Sequence, residues 1–169
     1  MVALRRARVS ACFWFIGFSL GFQPALFGQA LHLSLASQQE RENLALEVSL
    51  QSTSGKEPSA LQWEITLPLA KLAFQNEIAA AGQAAQAAGK SVSCAIKPNN
   101  GAVQTATCVV YGGQESIRDG VVAVTRLRIP GRAKAGAARI TVNHGLAVYR
   151  DLRQITLNPV EVVVKIPRQ

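Results

Sequence analysis

Residues 91–111 read SVSCAIKPNNGAVQTATCVVY and carry the pattern of a β-hairpin. Val92, Cys94 and Ile96 alternate with Ser93 and Ala95, Pro98-Asn99-Asn100-Gly101 supplies turn residues, and Gln104, Ala106, Cys108 and Val110 resume the alternation. A period of two sends successive side chains to opposite faces of a strand, and Asn-Gly between alternating runs is a strong hairpin signal. Folding the stretch about Gly101 sets Cys94 opposite Cys108. Turn chemistry and cysteine pair thus agree on one register.

The same alternation extends outward in both directions. Upstream, Leu31-Leu33-Leu35 gives way to Leu44, Leu46, Val48 and Leu50, and then, past the turn-forming 52–56, to Leu61, Trp63, Ile65 and Leu67. Downstream, residues 120–129 form a β-branched run, 139–143 and 146–149 read as short strands, and 160–166 (VEVVVKI) close the series. Residues 79–90 have helical propensity, but Gly82 and Gly89 interrupt them and no large apolar side chain supplies a buried face, so a loop with one helical turn is expected. About nine short strands with almost no helix predict an all-β sandwich of the jelly-roll kind.

Ahead of this lies a leader. Arg5, Arg6 and Arg8 form a basic start, residues 11–22 (ACFWFIGFSLGF) an apolar run of 12, and Gly28-Gln29-Ala30 a small-residue cleavage site. That run is too short for a membrane-spanning helix, which needs about 20 residues. Val9-Ser10-Ala11-Cys12 has the residue types of a lipoprotein box, but its apolar segment follows Cys12 instead of preceding it. The expected division is a signal peptide over 1–30 and a sandwich domain over 31–169, without a membrane span after processing, secreted or periplasmic. Cys12 leaves with the leader, and Cys94 and Cys108 remain as an even pair in an oxidising compartment, where a disulfide is expected.

Charge and motif content narrow the function. The formal net charge of +8 falls to +5 without the three leader arginines, and the remaining basic residues are scattered singly, so nucleic acid is not an expected partner. Past Ala30 the histidines are His32 and His144 and the aspartates Asp119 and Asp151, with no Gly-x-Ser-x-Gly or His-Glu-x-x-His motif. No catalytic residue is assigned. With no acidic cluster able to supply oxygen ligands, neither a metal nor a cofactor is expected.

Several segments resemble cohesin domains, of the superfamily that also holds bacterial cellulose-binding modules. Asp119-Gly120-Val121-Val122-Ala123-Val124 is similar to the cohesin strand that opens on Asp/Asn-Gly. Ala133-Lys134-Ala135-Gly136 and Arg139-Ile140-Thr141-Val142-Asn143 resemble the loop and strand that follow, residues 160–164 the terminal strand, and residues 63–72 (WEITLPLAKL) the segment that usually carries an aromatic, Asp-Pro and Leu. Here Leu67-Pro68-Leu69 stands where many cohesins have Tyr-Asp-Pro, so the acidic residue often found near the dockerin contact is absent. The Cys94–Cys108 hairpin is not a general cohesin feature either.

The resemblance implies a nine-stranded jelly roll and a non-catalytic role in binding a partner protein, dockerin-like or another secreted protein, in a polysaccharide-related setting. It also implies that 60–67, 103–111 and 120–129 share a sheet. With Trp63 and Leu127 facing inward, the candidate surface is Gln62, Glu64, Thr105, Thr107, Val109, Tyr111, Val122, Val124, Arg126 and Arg128, with Thr66 alongside. A mixed row of valines, tyrosine and charges is the composition binding surfaces use. The alternative is a carbohydrate-binding module stacking a polysaccharide on aromatics, for which Tyr111 and Tyr149 at strand ends are the candidates.

Overall fold

Alternating burial organises the described residues into ten strands and one helical turn. The computed structural model describes residues 30–40, 43–98 and 101–168. The strands are β1 (Ala30–Glu40), β2 (Asn43–Gln51), β3 (Ala60–Pro68), β4 (Ala73–Ala81), β5 (Ser91–Ile96), β6 (Val103–Tyr111), β7 (Gly120–Arg128), β8 (Gly136–Val148), β9 (Gln154–Leu157) and β10 (Val160–Ile166), with α1 (Gln83–Ala87) between β4 and β5. They form two sheets. One has four strands in the order β1-β2-β7-β4; the other has six, in the order β10-β8-β3-β6-β5 with β9 paired to β8, and every pairing is antiparallel.

The core lies between the sheets. Leu44, Leu46, Val48 and Leu50 of β2 and Leu127 of β7 meet Leu61, Trp63, Ile65 and Leu67 of β3, Val110 of β6, and Ile140 and Val142 of β8. Burying each such aliphatic side chain is worth about 1.5–3 kcal/mol, which makes alternation in sequence a folding force. Trp63 is fully buried, as its register with Leu61 and Ile65 predicts.

The expected hairpin is present. Cys94 pairs with Cys108 across β5 and β6, the two are joined by a disulfide, and Gly101 has φ of 66°, a left-handed conformation that glycine adopts without strain. Asn99, Asn100 and the expected leader before Ala30 lie outside the described residues.

Three strand assignments differ from the sequence reading. The segments expected as separate strands over 139–143 and 146–149 lie on one strand, β8, which ends at Val148, because His144-Gly145 forms a bulge opposite Trp63 instead of a turn. β4 and β9 went unread. β4 carries an irregularity between Phe74 and Ala79 that breaks its alternation, and β9 has only four residues. The helical turn is where it was expected, with Ala84 and Ala85 buried.

The largest correction concerns β7. It pairs with β2 and β4, in the sheet opposite β3 and β6, so the three strands expected to share a face do not. Val122 is also buried, contrary to its expected outward orientation. A bulge lies where Val48 pairs with Ala123 and Ser49 with Val121, so Val122 and Ala123 both face the core. Beyond it, Thr125 and Leu127 point in and Arg126 and Arg128 point out.

Two outcomes check this architecture. The Cys94→Ser/Cys108→Ser variant is expected to lose about 3 kcal/mol of stability in denaturant titration, the value for closing a ring of about 15 residues; unchanged stability speaks against a formed disulfide. Val122→Thr buries a hydroxyl at an apolar site and is expected to cost about 1–3 kcal/mol, whereas Val124→Thr stays within about 0.5 kcal/mol. Equal costs at the two positions contradict the bulge.

Candidate interaction face

The outer face of the six-stranded sheet is built by the side chains that alternate with the core. β3 contributes Gln62, Glu64 and Thr66, and β6 contributes Thr105, Thr107, Val109 and Tyr111; Gln62 pairs with Val109, Glu64 with Thr107 and Thr66 with Thr105. On the other side of β3, Leu146, Asn143 and Thr141 of β8 continue these rows. Glu161, Val163 and Lys165 of β10 extend the face to the edge.

Glu64 is its electrostatic centre. Lys97 Nζ donates to Oε1 at 2.5 Å, and His144 Nδ1 lies 3.1 Å from Oε2. The carboxylate is only 16% exposed, while both partners are open to solvent. Each partner arrives by a local backbone device. Lys97 follows β5 and donates its N–H to Thr105, while His144 is the extra residue of the β8 bulge, with φ of 48°. The hydrogen bond from Lys97 holds the Glu64 carboxyl below its ordinary range; desolvation opposes this and His144 assists it. Because the folded chain ionises Glu64 more readily than the unfolded one, the cluster stabilises the fold above the ordinary carboxylate range. That contribution is lost as the pH falls through the lowered value.

At one end of the face lies a depression of about 310 Å³ lined by Thr66, Pro68, Lys71, Val103, Arg139 and Thr141 among others. Thr66 and Thr105 share a hydroxyl hydrogen bond of 3.1 Å. A larger cavity of about 480 Å³ sits elsewhere, beside α1, with Glu115, Ser116, Arg118 and Asp119. Asp119 there accepts from the Ser52 N–H and hydroxyl at 2.8 and 2.6 Å, which commits it to tying two loops.

Of the ten expected surface residues, Gln62, Glu64, Thr105, Thr107, Val109 and Tyr111 share this face. Val124, Arg126 and Arg128 lie on the outer face of the opposite sheet, where Arg126 bonds Glu77 at 2.5 Å, and Val122 is core. The sequence reading missed Lys97, His144, Lys71 and Arg139. For Arg139 the signal was available in its alternation with Ile140 and Thr141, but the strand had not been placed beside β3. The sugar-platform candidate Tyr149 is corrected too: it is buried, with Arg153 stacked 4.6 Å from its ring centroid. Phe74 and Trp63 are buried as well, and Tyr111 is half exposed. Among the described residues no three His, Cys, Asp or Glu side chains gather as metal ligands, and no helix is long and apolar enough to cross a membrane.

Solved structures share this arrangement of two sheets. A non-cellulosomal cohesin from the archaeon Archaeoglobus fulgidus superposes with a TM-score of 0.63 at 9% identity, covering 83% of this chain and 91% of its own. The chain has the cohesin fold. An OlpA cohesin of Clostridium thermocellum, solved with a dockerin, gives 0.62 at 18% identity over 82% of this chain and 99% of its own. The sixth cohesin of scaffoldin B from Acetivibrio cellulolyticus, also in complex with a dockerin, gives 0.61 at 16% over 78% and 93%. No family model matches the sequence, and no curated protein matches it. The likeness is one of fold, at sequence identities of 9–18%.

The charge centre offers a direct check. Followed by carboxyl NMR, Glu64 is expected to titrate below the ordinary glutamate range, and Lys97→Met is expected to raise its midpoint. A midpoint indifferent to Lys97 means the pair does not hold in solution.

Proposed function

We propose that the chain is an exported, non-catalytic module that binds a partner protein through the outer face of the six-stranded sheet. The observation that carries this reading is the face itself: a broad sheet surface, with no described element laid across it, whose central carboxylate is fixed between Lys97 and His144. Around that centre lie Val109, the half-exposed Tyr111 and the exposed Val163, a mixture of apolar contacts and oriented charge that suits specific docking. Cohesins solved in complex with dockerins support a partner protein of dockerin-like or other secreted type.

Export rests on the leader at residues 1–30 and is consistent with the disulfide. β1 begins at Ala30, so cleavage after that residue removes only the first position of the strand. The domain is then 31–169, placed in the periplasm or the medium.

The test is capture from the producing organism's secretome in parallel with a panel of polysaccharides. A discrete protein is expected to be retained, with retention falling at least about tenfold for Thr107→Arg in the middle of the face and unchanged for Arg126→Ser on the opposite sheet. Capture indifferent to Thr107→Arg overturns the assignment of the face. Retention on a polysaccharide, reversed by free oligosaccharide, replaces it with direct sugar recognition.

A further inference from the structure

Resting on this reading of the face, we infer that the partner presents a carboxylate-bearing segment and that its acidic side chain seats between Lys71 and Arg139. Both cations line the depression at the end of the face, and no acidic residue lines it. Each is held in place while keeping donors to spare. Lys71 Nζ donates to the Ala137 carbonyl at 2.5 Å, which leaves two of its three N–H groups. Position 136 beside the amine is glycine because its φ of 127° is one that other residues rarely adopt. Arg139 gives only Nη1 to Glu161, at 3.1 and 3.3 Å, so its remaining guanidinium N–H groups stay available.

A positioned ammonium beside a guanidinium, both with unfilled donors, fits a planar anion with several acceptor lone pairs. The Thr141 hydroxyl beside them is a further donor, while Pro68 and Val103 supply an apolar wall for the methylenes of an Asp or Glu. The Arg139–Glu161 bridge does not block the site. Its side chains are 67% and 52% exposed, and bridges of that kind contribute little, so an incoming carboxylate joins or displaces Glu161 at small cost.

The wider face argues the same way. Its cations are Lys71, Lys97, Arg139 and Lys165 and its carboxylates Glu64 and Glu161; Glu64 is engaged by Lys97 and His144, leaving positive charge in excess at the Lys71 end. Complementarity therefore calls for an acidic partner surface there. The Leu67-Pro68-Leu69 sequence contributes to this polarity by placing no acid beside the depression.

The test uses a random 12-residue peptide display library panned on the intact protein. Enriched peptides are expected to carry excess Asp and Glu, to lose affinity at least about tenfold on the Lys71→Glu/Arg139→Glu variant, and to weaken steeply as salt rises. Arg126→Glu, on the opposite sheet, is expected to leave their affinity unchanged, and circular dichroism establishes that the double variant is folded. No enrichment, or enrichment of neutral or basic peptides, overturns the acidic partner. If such neutral or basic peptides still lose affinity on Thr107→Arg, the interaction face stands without it. Peptides indifferent to both Thr107→Arg and the double variant overturn the face as well.

Discussion

Strand β3 is hydrogen-bonded on both sides, to β6 and to β8, and the rest of the molecule is arranged around its alternation. Its odd positions, Leu61, Trp63, Ile65 and Leu67, fill the space between the sheets, and its even positions, Gln62, Glu64 and Thr66, form the middle of the outer face. A shift of one residue would exchange the two sets, exposing a tryptophan and burying a carboxylate, each costing several kcal/mol. The register of the core and the composition of the face are therefore one constraint. Anything that fixes Trp63 inside also fixes Glu64 outside.

This coupling explains which parts were legible in sequence. Alternation is local, so β2, β3, β5 and β6 were readable, together with the inward or outward sense of Glu64, Thr107 and Tyr111. It does not say which strand lies beside which. The segment 120–128 alternates acceptably for either sheet, and its pairing with β2 and β4 is decided by how the two sheets divide the core. Val124, Arg126 and Arg128 were thus given the correct orientation on the wrong face. Val122 was misread for a separate reason: one extra residue at a bulge inverts the sense of a strand, and nothing in Val121-Val122-Ala123 marks where it sits.

The site was half legible for a related cause. Its β3 and β6 members follow from period two, but the groups that give the face its electrostatic character come from irregular backbone. His144 reaches Glu64 because β8 bulges, Lys97 because the chain leaves β5 just there, and Lys71 because a turn closed by N–H groups of Lys71 and Leu72 on the Pro68 carbonyl follows β3. Reading such residues requires knowing which strands the irregularities adjoin. His144-Gly145 looks like a turn until β3 is placed opposite it.

The disulfide can now be connected to the face. β5 is the outermost strand of the path β3-β6-β5, paired among the described residues only with β6, and contributes little to the core beyond the partly buried Val92 and Cys94. An edge strand with so little apolar anchorage frays readily unless something else restrains it. Cys94–Cys108 supplies that restraint at the middle of the pairing, three residues before Lys97. Lys97 then crosses the line of β6 to reach Glu64 on β3, so its position depends on β5 staying in register. The covalent bond lies on the inner side and the charge cluster on the outer, yet the same edge strand orders both. The cysteines thus hold in place the cation that engages Glu64 on the outer face, which gives the pair a role beyond closing a ring.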